Sequence, residues 1–186
     1  MSTATATRPL TGDDLLRLPD DSRDYELVRG ELIEMPLPGG SHGMCQARLG
    51  AMLDEFVERH ELGRVGISSG FYVRRDPDTV RDPDVMFISK EKLDPELEVE
   101  GYLEVVPDLV AEIVSPHDMH SELMAKVDEY LAAGVRQVWL VDSRRHAVTI
   151  YPGAQTLHES DTLTGGEVLP GFQTPVWRLF RRRQDH

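Results

Sequence analysis

Cys45 is the only cysteine in the chain. An internal disulfide is therefore excluded, and a reducing compartment fits. No run reaches the roughly 18 consecutive apolar residues of a membrane-spanning helix. The opening MSTATATRPL has no long apolar stretch of the kind a secretory leader carries. A cytoplasmic protein with no membrane partner is the expectation. Glycine-rich phosphate cradles are missing as well: neither G-x-x-x-x-G-K-[ST] nor G-x-G-x-x-G occurs, and nucleotide hydrolysis of those kinds drops out. Ser115 and Cys45 have no Gly-flanked elbow or matching His–Asp pattern, so nucleophilic catalysis is unsupported. Basic residues are the minority, 20 against 33 acidic ones, for a net charge of -13. Such a chain does not coat nucleic acid nonspecifically, because phosphate binding is driven by Lys and Arg. A nuclease stays open, since metal-binding carboxylates themselves add negative charge.

What is present is an ordinary globular composition, 40% hydrophobic over 186 residues, enough for one domain with a real core. Residues 1–9 are rich in Ser, Thr and Ala without apolar periodicity and read as disordered. Residues 10–180 read as one domain, and 181–186 as a basic, solvated tail. TGDDLLRLPD predicts a short helix with Thr11 as N-cap and Asp14 at its third position. DYELVRGELIEMP predicts a hairpin turning at Arg29-Gly30. From Ser41 to about His60, Cys45, Leu49, Met52, Leu53, Phe56 and Val57 recur at helical spacing, with Gly63 closing the segment. FYVRR and VRDPDVMFI predict a second hairpin across DPDT. PDLVAEIVSP is a core strand, and Ser121 to Ala133 a helix stopped by Gly134. GVRQVWLVD and AVTIY are strands around the turn SRRH, and TLTGGEVLPGFQTPVWRLF is a strand, a turn and a packing segment. The fold class expected is α/β or α+β.

Within the apolar run from Leu109 to Val114 sits Glu112. Burying a carboxylate costs several kcal/mol unless it is partnered. Asp84, after Asp82 and Pro83, lies at the entry to an apolar strand, where a rim side chain can face a cleft. Lys126 lies on the flank of the apolar stripe made by Leu123, Val127, Tyr130 and Leu131, so its stem can rest on the core and carry the ammonium to the sheet edge. Two carboxylates and a lysine at one rim suit metal-dependent phosphodiester cleavage. Carboxylates are hard ligands for Mg²⁺, Mg²⁺-bound water can be activated, and a lysine can position water or offset charge in the transition state. Each residue also has a plain structural reading: Glu112 as a paired buried acid, Asp84 as a turn cap, Lys126 as a snorkelling surface residue. His42 in GGSHG, at a helix N-terminus, reads as a phosphate contact or a neighbour of the cap. His117, Asp118 and His120 lack the spaced partners of a zinc site and read as a polar loop.

The succession YELVRGELIEM, RDPDV, PDLVAEIVSP, KVDEYLAAGVRQVWLVD and LPGF resembles the Uma-type restriction endonuclease family, long described as a domain of unknown function and placed in the PD-(D/E)XK nuclease-like superfamily. The likeness spans about residues 10–180. It implies a restriction-endonuclease-like core: a mixed central β-sheet flanked by helices, with an N-terminal β-hairpin and the site at a sheet edge. Carried onto this chain, it implies Asp84 and Glu112 as metal ligands for Mg²⁺ or Mn²⁺ and Glu31 as an additional acid. The superfamily's usual lysine position falls at Val114, and Lys126 in the next helix takes that place. Relatives carry an Arg after SPxD where this chain has Met119 and His120. The activity implied is hydrolysis of phosphodiester bonds in DNA, by a homodimer on analogy with symmetric double-strand cutters. The alternatives are a nuclease-fold interaction module without useful turnover and a structural or toxin-like partner protein.

Overall fold

A computed structural model describes residues 8–19, 23–115 and 118–180. Most of the segment expected to be disordered, His117 and the basic tail lie outside the described residues. Helix α1, Gly12–Leu16, begins on a reciprocal capping box: the Thr11 hydroxyl accepts from Asp14 N–H, and the Asp14 carboxylate accepts from Thr11 N–H. Arg8 pairs with the same carboxylate at 2.6 Å, so Arg8 is tied to this cap. Strands β1, Asp24–Val28, and β2, Glu31–Met35, make the expected hairpin. Its turn holds Arg29 and Gly30 at φ 52° and 80°, the left-handed pair that a tight two-residue hairpin turn requires.

Helix α2, Gly40–Arg59, buries Cys45, Leu49, Leu53 and Val57 along one stripe. It ends at His60, ahead of Gly63, because the chain already turns at Glu61, φ 51°. Gly63 instead opens strand β3, Gly63–Ile67, where a Cβ would lie 2.1 Å from the Ile88 carbonyl oxygen. Strands β4, Phe71–Arg74, and β5, Thr79–Arg81, form a hairpin, followed by β6, Val85–Ser89. The run VRDPDVMFI is thus not one strand. It breaks at Asp82-Pro83, where proline supplies no N–H to a ladder, and its halves join different sheets.

Strand β7, Leu109–Val114, leads into helix α3, His120–Ala133, which Gly134 ends in the left-handed conformation at φ 105°. Strands β8, Gln137–Asp142, β9, Ala147–Tyr151, and β10, Gln155–His158, follow, then the paired β11, Thr162–Gly165, and β12, Leu169–Pro175, and a 3-10 turn, Val176–Leu179. β10 went unassigned in the sequence pattern. It contributes QTLH, one half-buried leucine among exposed polar residues, to the sheet edge.

The larger sheet has the order β10-β9-β8-β7-β6-β3, and only β7 and β8 run parallel, with α3 between them. It is a mixed sheet flanked by helices, as expected. Alternation sorts its residues. Leu109, Ala111, Ile113, Trp139 and Val141 face α2 and the C-terminal pair, whereas Val110, Val138 and Leu140 face α3 with Val127 and Tyr130. The smaller sheet, β2-β1-β5-β4, packs Leu27, Tyr72 and Val80 against α1. No helix among the described residues is long and apolar enough to cross a membrane.

Candidate active site

The pairing of β6 with β7 sets the site. Val85 lies opposite Ala111, and the ladder stops there, one residue short of an Asp84–Glu112 pairing. Strand β7 continues along β8 to Val114, so its other edge is left open. The Asp84 carboxylate fills that gap: its Oδ2 accepts the Ile113 N–H at 2.7 Å. Asp84 and Glu112 both line a cleft of about 930 Å³, which residues of the two sheets, α2 and α3 surround.

Helix α2 pins Asp84 through two residues one turn apart. His42 Nε2 lies 3.2 Å from Asp84 Oδ2, and Gln46 donates to the Asp84 carbonyl at 3.0 Å and to Ser68 at 2.8 Å. The bond to Asp84 raises the His42 pKa above its ordinary 6.5, against burial. His42 Nδ1 is buried without a partner among the described residues.

Helix α3 does the same for Glu112. Tyr130 and Lys126, at i and i−4, share one face. The Tyr130 hydroxyl donates to Glu112 Oε1 at 2.5 Å, and Lys126 Nζ stands 3.7 Å from the same oxygen. Glu112 is only 8% exposed. Burial, aided by the charges of Asp84 and Glu26, lifts its carboxyl from 4.5 to about 7, and Lys126 and Tyr130 offset only part of that.

Lys126 has a nearer partner in Glu26 of β1, whose Oε1 is 2.9 Å away. Burial lowers the Lys126 pKa, but Glu112 and Glu26 outweigh it and the ammonium is held above its ordinary value. Glu26 also accepts from Arg81 of β5 at 2.6 Å, and Arg81 reaches Glu129 on α3 at 2.6 Å. Burial pushes Glu26 up, yet Lys126 and Arg81 hold its carboxyl below the usual range. Asp82 lines the same cleft and remains open to solvent at the surface. Crowding by protein, then the charges of Glu26 and Asp84, raises it to about 7.

Asp84, Glu112, Lys126 and His42 therefore meet in one cleft. Glu31 lines it too, but from the exposed start of β2, with no ion pair among the described residues. The deep acid is Glu26, which the sequence reading passed over. Its signal was the one used for Glu112, a lone carboxylate inside a strand-like apolar run. Arg81, Glu129, Tyr130 and Gln46 carried no comparable mark.

A hard divalent cation fits this donor set. The contacts above occupy Asp84 Oδ2 and Glu112 Oε1, leaving the second oxygen of each for a ligand. No group of three or more His, Cys, Asp or Glu side chains among the described residues is arranged to hold a metal ion by itself. An ion here would keep several waters, as Mg²⁺ does when one or two carboxylates hold it.

The sequence profile of the Uma2 family, described as "Putative restriction endonuclease", matches residues 13–177. Among curated proteins, none is significantly similar. A crystal structure from Anabaena variabilis ATCC 29413, described as a putative nuclease belonging to DUF820, is 21% identical with a TM-score of 0.78. The likeness covers 92% of this chain and 98% of that one, and it establishes the fold.

Proposed function

Because the chain belongs to the Uma2 family of putative restriction endonucleases, we propose that it is an endonuclease hydrolysing phosphodiester bonds in DNA with Mg²⁺ or Mn²⁺. The observation that carries this reading is the meeting of Asp84, Glu112 and Lys126 where β6 and β7 part. Asp84 and Glu112 would hold the ion. When bound, it supplies a more acidic water and neutralises charge at the phosphate.

The chain's own residues do the rest. Lys126 is kept charged by two carboxylates, so it donates hydrogen bonds rather than accepting a proton. Its ammonium orients the attacking water or a non-bridging phosphate oxygen and offsets the negative charge that grows in the transition state. Tyr130 and the Ile113 N–H aim the two carboxylates. Glu31 and His42 stand at the mouth of the cleft and on Asp84 respectively, as supports to the site. A homodimer would bring two such sites to the two strands of a duplex.

The test is Mn²⁺ titration calorimetry on wild type and Glu112→Gln, followed by supercoiled-plasmid cleavage with the same samples. Binding lost in the variant, with metal-dependent nicking by wild type, supports the reading. Equal or absent binding in both would favour the interaction module instead, which the net charge of -13 also suits. Folded Lys126→Met that cleaves at the wild-type rate would remove the lysine from the reaction.

A further inference from the structure

Glu26 is more deeply buried than Glu112 or Arg81, at 2% exposure, and both of its oxygens are engaged. Oε2 accepts from Arg81 at 2.6 Å. Oε1 accepts from Lys126 at 2.9 Å and, at 3.4 Å, from the Asp82 N–H. Arg81 is itself clamped by Glu129 through its Nε and Nη2, at 3.0 and 2.6 Å. A lysine alone on a four-carbon stem spreads over many rotamers. Lys126 is held instead between two sheets: nearer to Glu26 than to Glu112, 2.9 against 3.7 Å. A carboxylate with both oxygens already taken by cations has little left to offer a metal.

We infer that Glu26 is a positioning residue: it fixes the Lys126 ammonium beside Glu112, is itself fixed by Arg81, and does not ligate the metal. Its effect on cleavage rate rests on the nuclease reading. Its hold on Lys126 does not.

Three measurements on Glu26→Gln decide this, with Glu26→Asp as the conservative variant. First, the ¹⁵N–¹H signal of the Lys126 ammonium, identified by its loss in Lys126→Met, is slow to exchange with water in wild type. It broadens or vanishes in Glu26→Gln and is only partly restored, at a displaced position, in Glu26→Asp. An unchanged signal in Glu26→Gln overturns the proposal. Second, Mn²⁺ affinity by calorimetry stays within about twofold of wild type, whereas a loss of about tenfold or more, the size expected when a ligand or its direct support is removed, ties Glu26 to the metal rather than to Lys126 and overturns it. Third, plasmid cleavage falls about 10- to 100-fold in Glu26→Gln, and Glu26→Gln combined with Lys126→Met is no slower than Lys126→Met alone. Multiplying effects would mean that Glu26 acts independently of Lys126.

A wild-type protein that cuts nothing would end the nuclease reading, while the first two measurements would still judge Glu26. Should Glu26→Gln fail to fold, Glu26→Asp carries the same arms: a displaced ammonium signal with unchanged Mn²⁺ affinity supports the proposal, and an undisturbed signal refutes it.

Discussion

Replacing Glu112 by Gln should stabilise the metal-free protein at alkaline pH. Glu112 is 8% exposed, and its carboxyl is lifted from 4.5 to about 7, chiefly by burial. The folded chain thus holds this proton to higher pH than the unfolded chain does. Stability contributed by the group is complete below 4.5 and is lost as pH rises to about 7. A shift of that size corresponds to about 3 kcal/mol by linkage. Glutamine keeps the shape and, through its amide oxygen, the acceptor for the Tyr130 hydroxyl, so most of the packing survives. Lys126 loses one of two carboxylates but retains Glu26 at 2.9 Å. Denaturant unfolding in EDTA from pH 5 to 8 should show the two proteins converging at the acid end. At pH 8 the variant should be ahead by about 1–3 kcal/mol, the full linkage figure less the imperfect fit of an amide. Asp82, which also titrates in the cleft, is common to both proteins and largely cancels in the difference, while His42 is raised first by Asp84, which both proteins keep, and only secondarily by Glu112. Parallel curves, or a variant less stable at pH 8, would refute the view that Glu112 is held ionised at a cost to the fold. Adding Mn²⁺ should narrow the gap by stabilising wild type alone.

Asp84→Asn should lose Mn²⁺ binding while remaining folded, because the amide oxygen still accepts the Ile113 N–H; calorimetry and a melting curve check both. Tyr130→Phe removes one hydroxyl bond to a carboxylate and should cost about 1.5–3 kcal/mol at pH 8, read by urea unfolding, with little cost at pH 5 where Glu112 is protonated. Gly63→Ala should lower stability by several kcal/mol, on the order of a disrupted core contact. There a Cβ would meet the Ile88 carbonyl, and soluble yield with thermal unfolding would show it.

Local signals carried much of the fold. The capping pair Thr11 and Asp14, the Arg29-Gly30 turn, the apolar spacing of α2 and α3, and Gly134 each act over a few residues, and each produced the element expected. Glu112 was legible because a carboxylate inside an apolar strand must be answered by something. Its partners were less so. Gly63 and the run VRDPDVMFI were misread because both depend on strand pairing, which no local pattern specifies.

The sequence by itself determined the helices and most of the strands, the central place of β7, and the presence of buried charge. Periodicity, caps and turns are short-range physics, and burial of a lone acid is written in its neighbours. Only the tertiary structure decided which charges meet. Glu26 finds Arg81 across 55 residues and Lys126 across 100, and Asp84 reaches the open edge of β7 only because the ladder stops at Val85. Ion pairing is set by distance in space. Distance along the chain is blind to it until the two sheets close around α3.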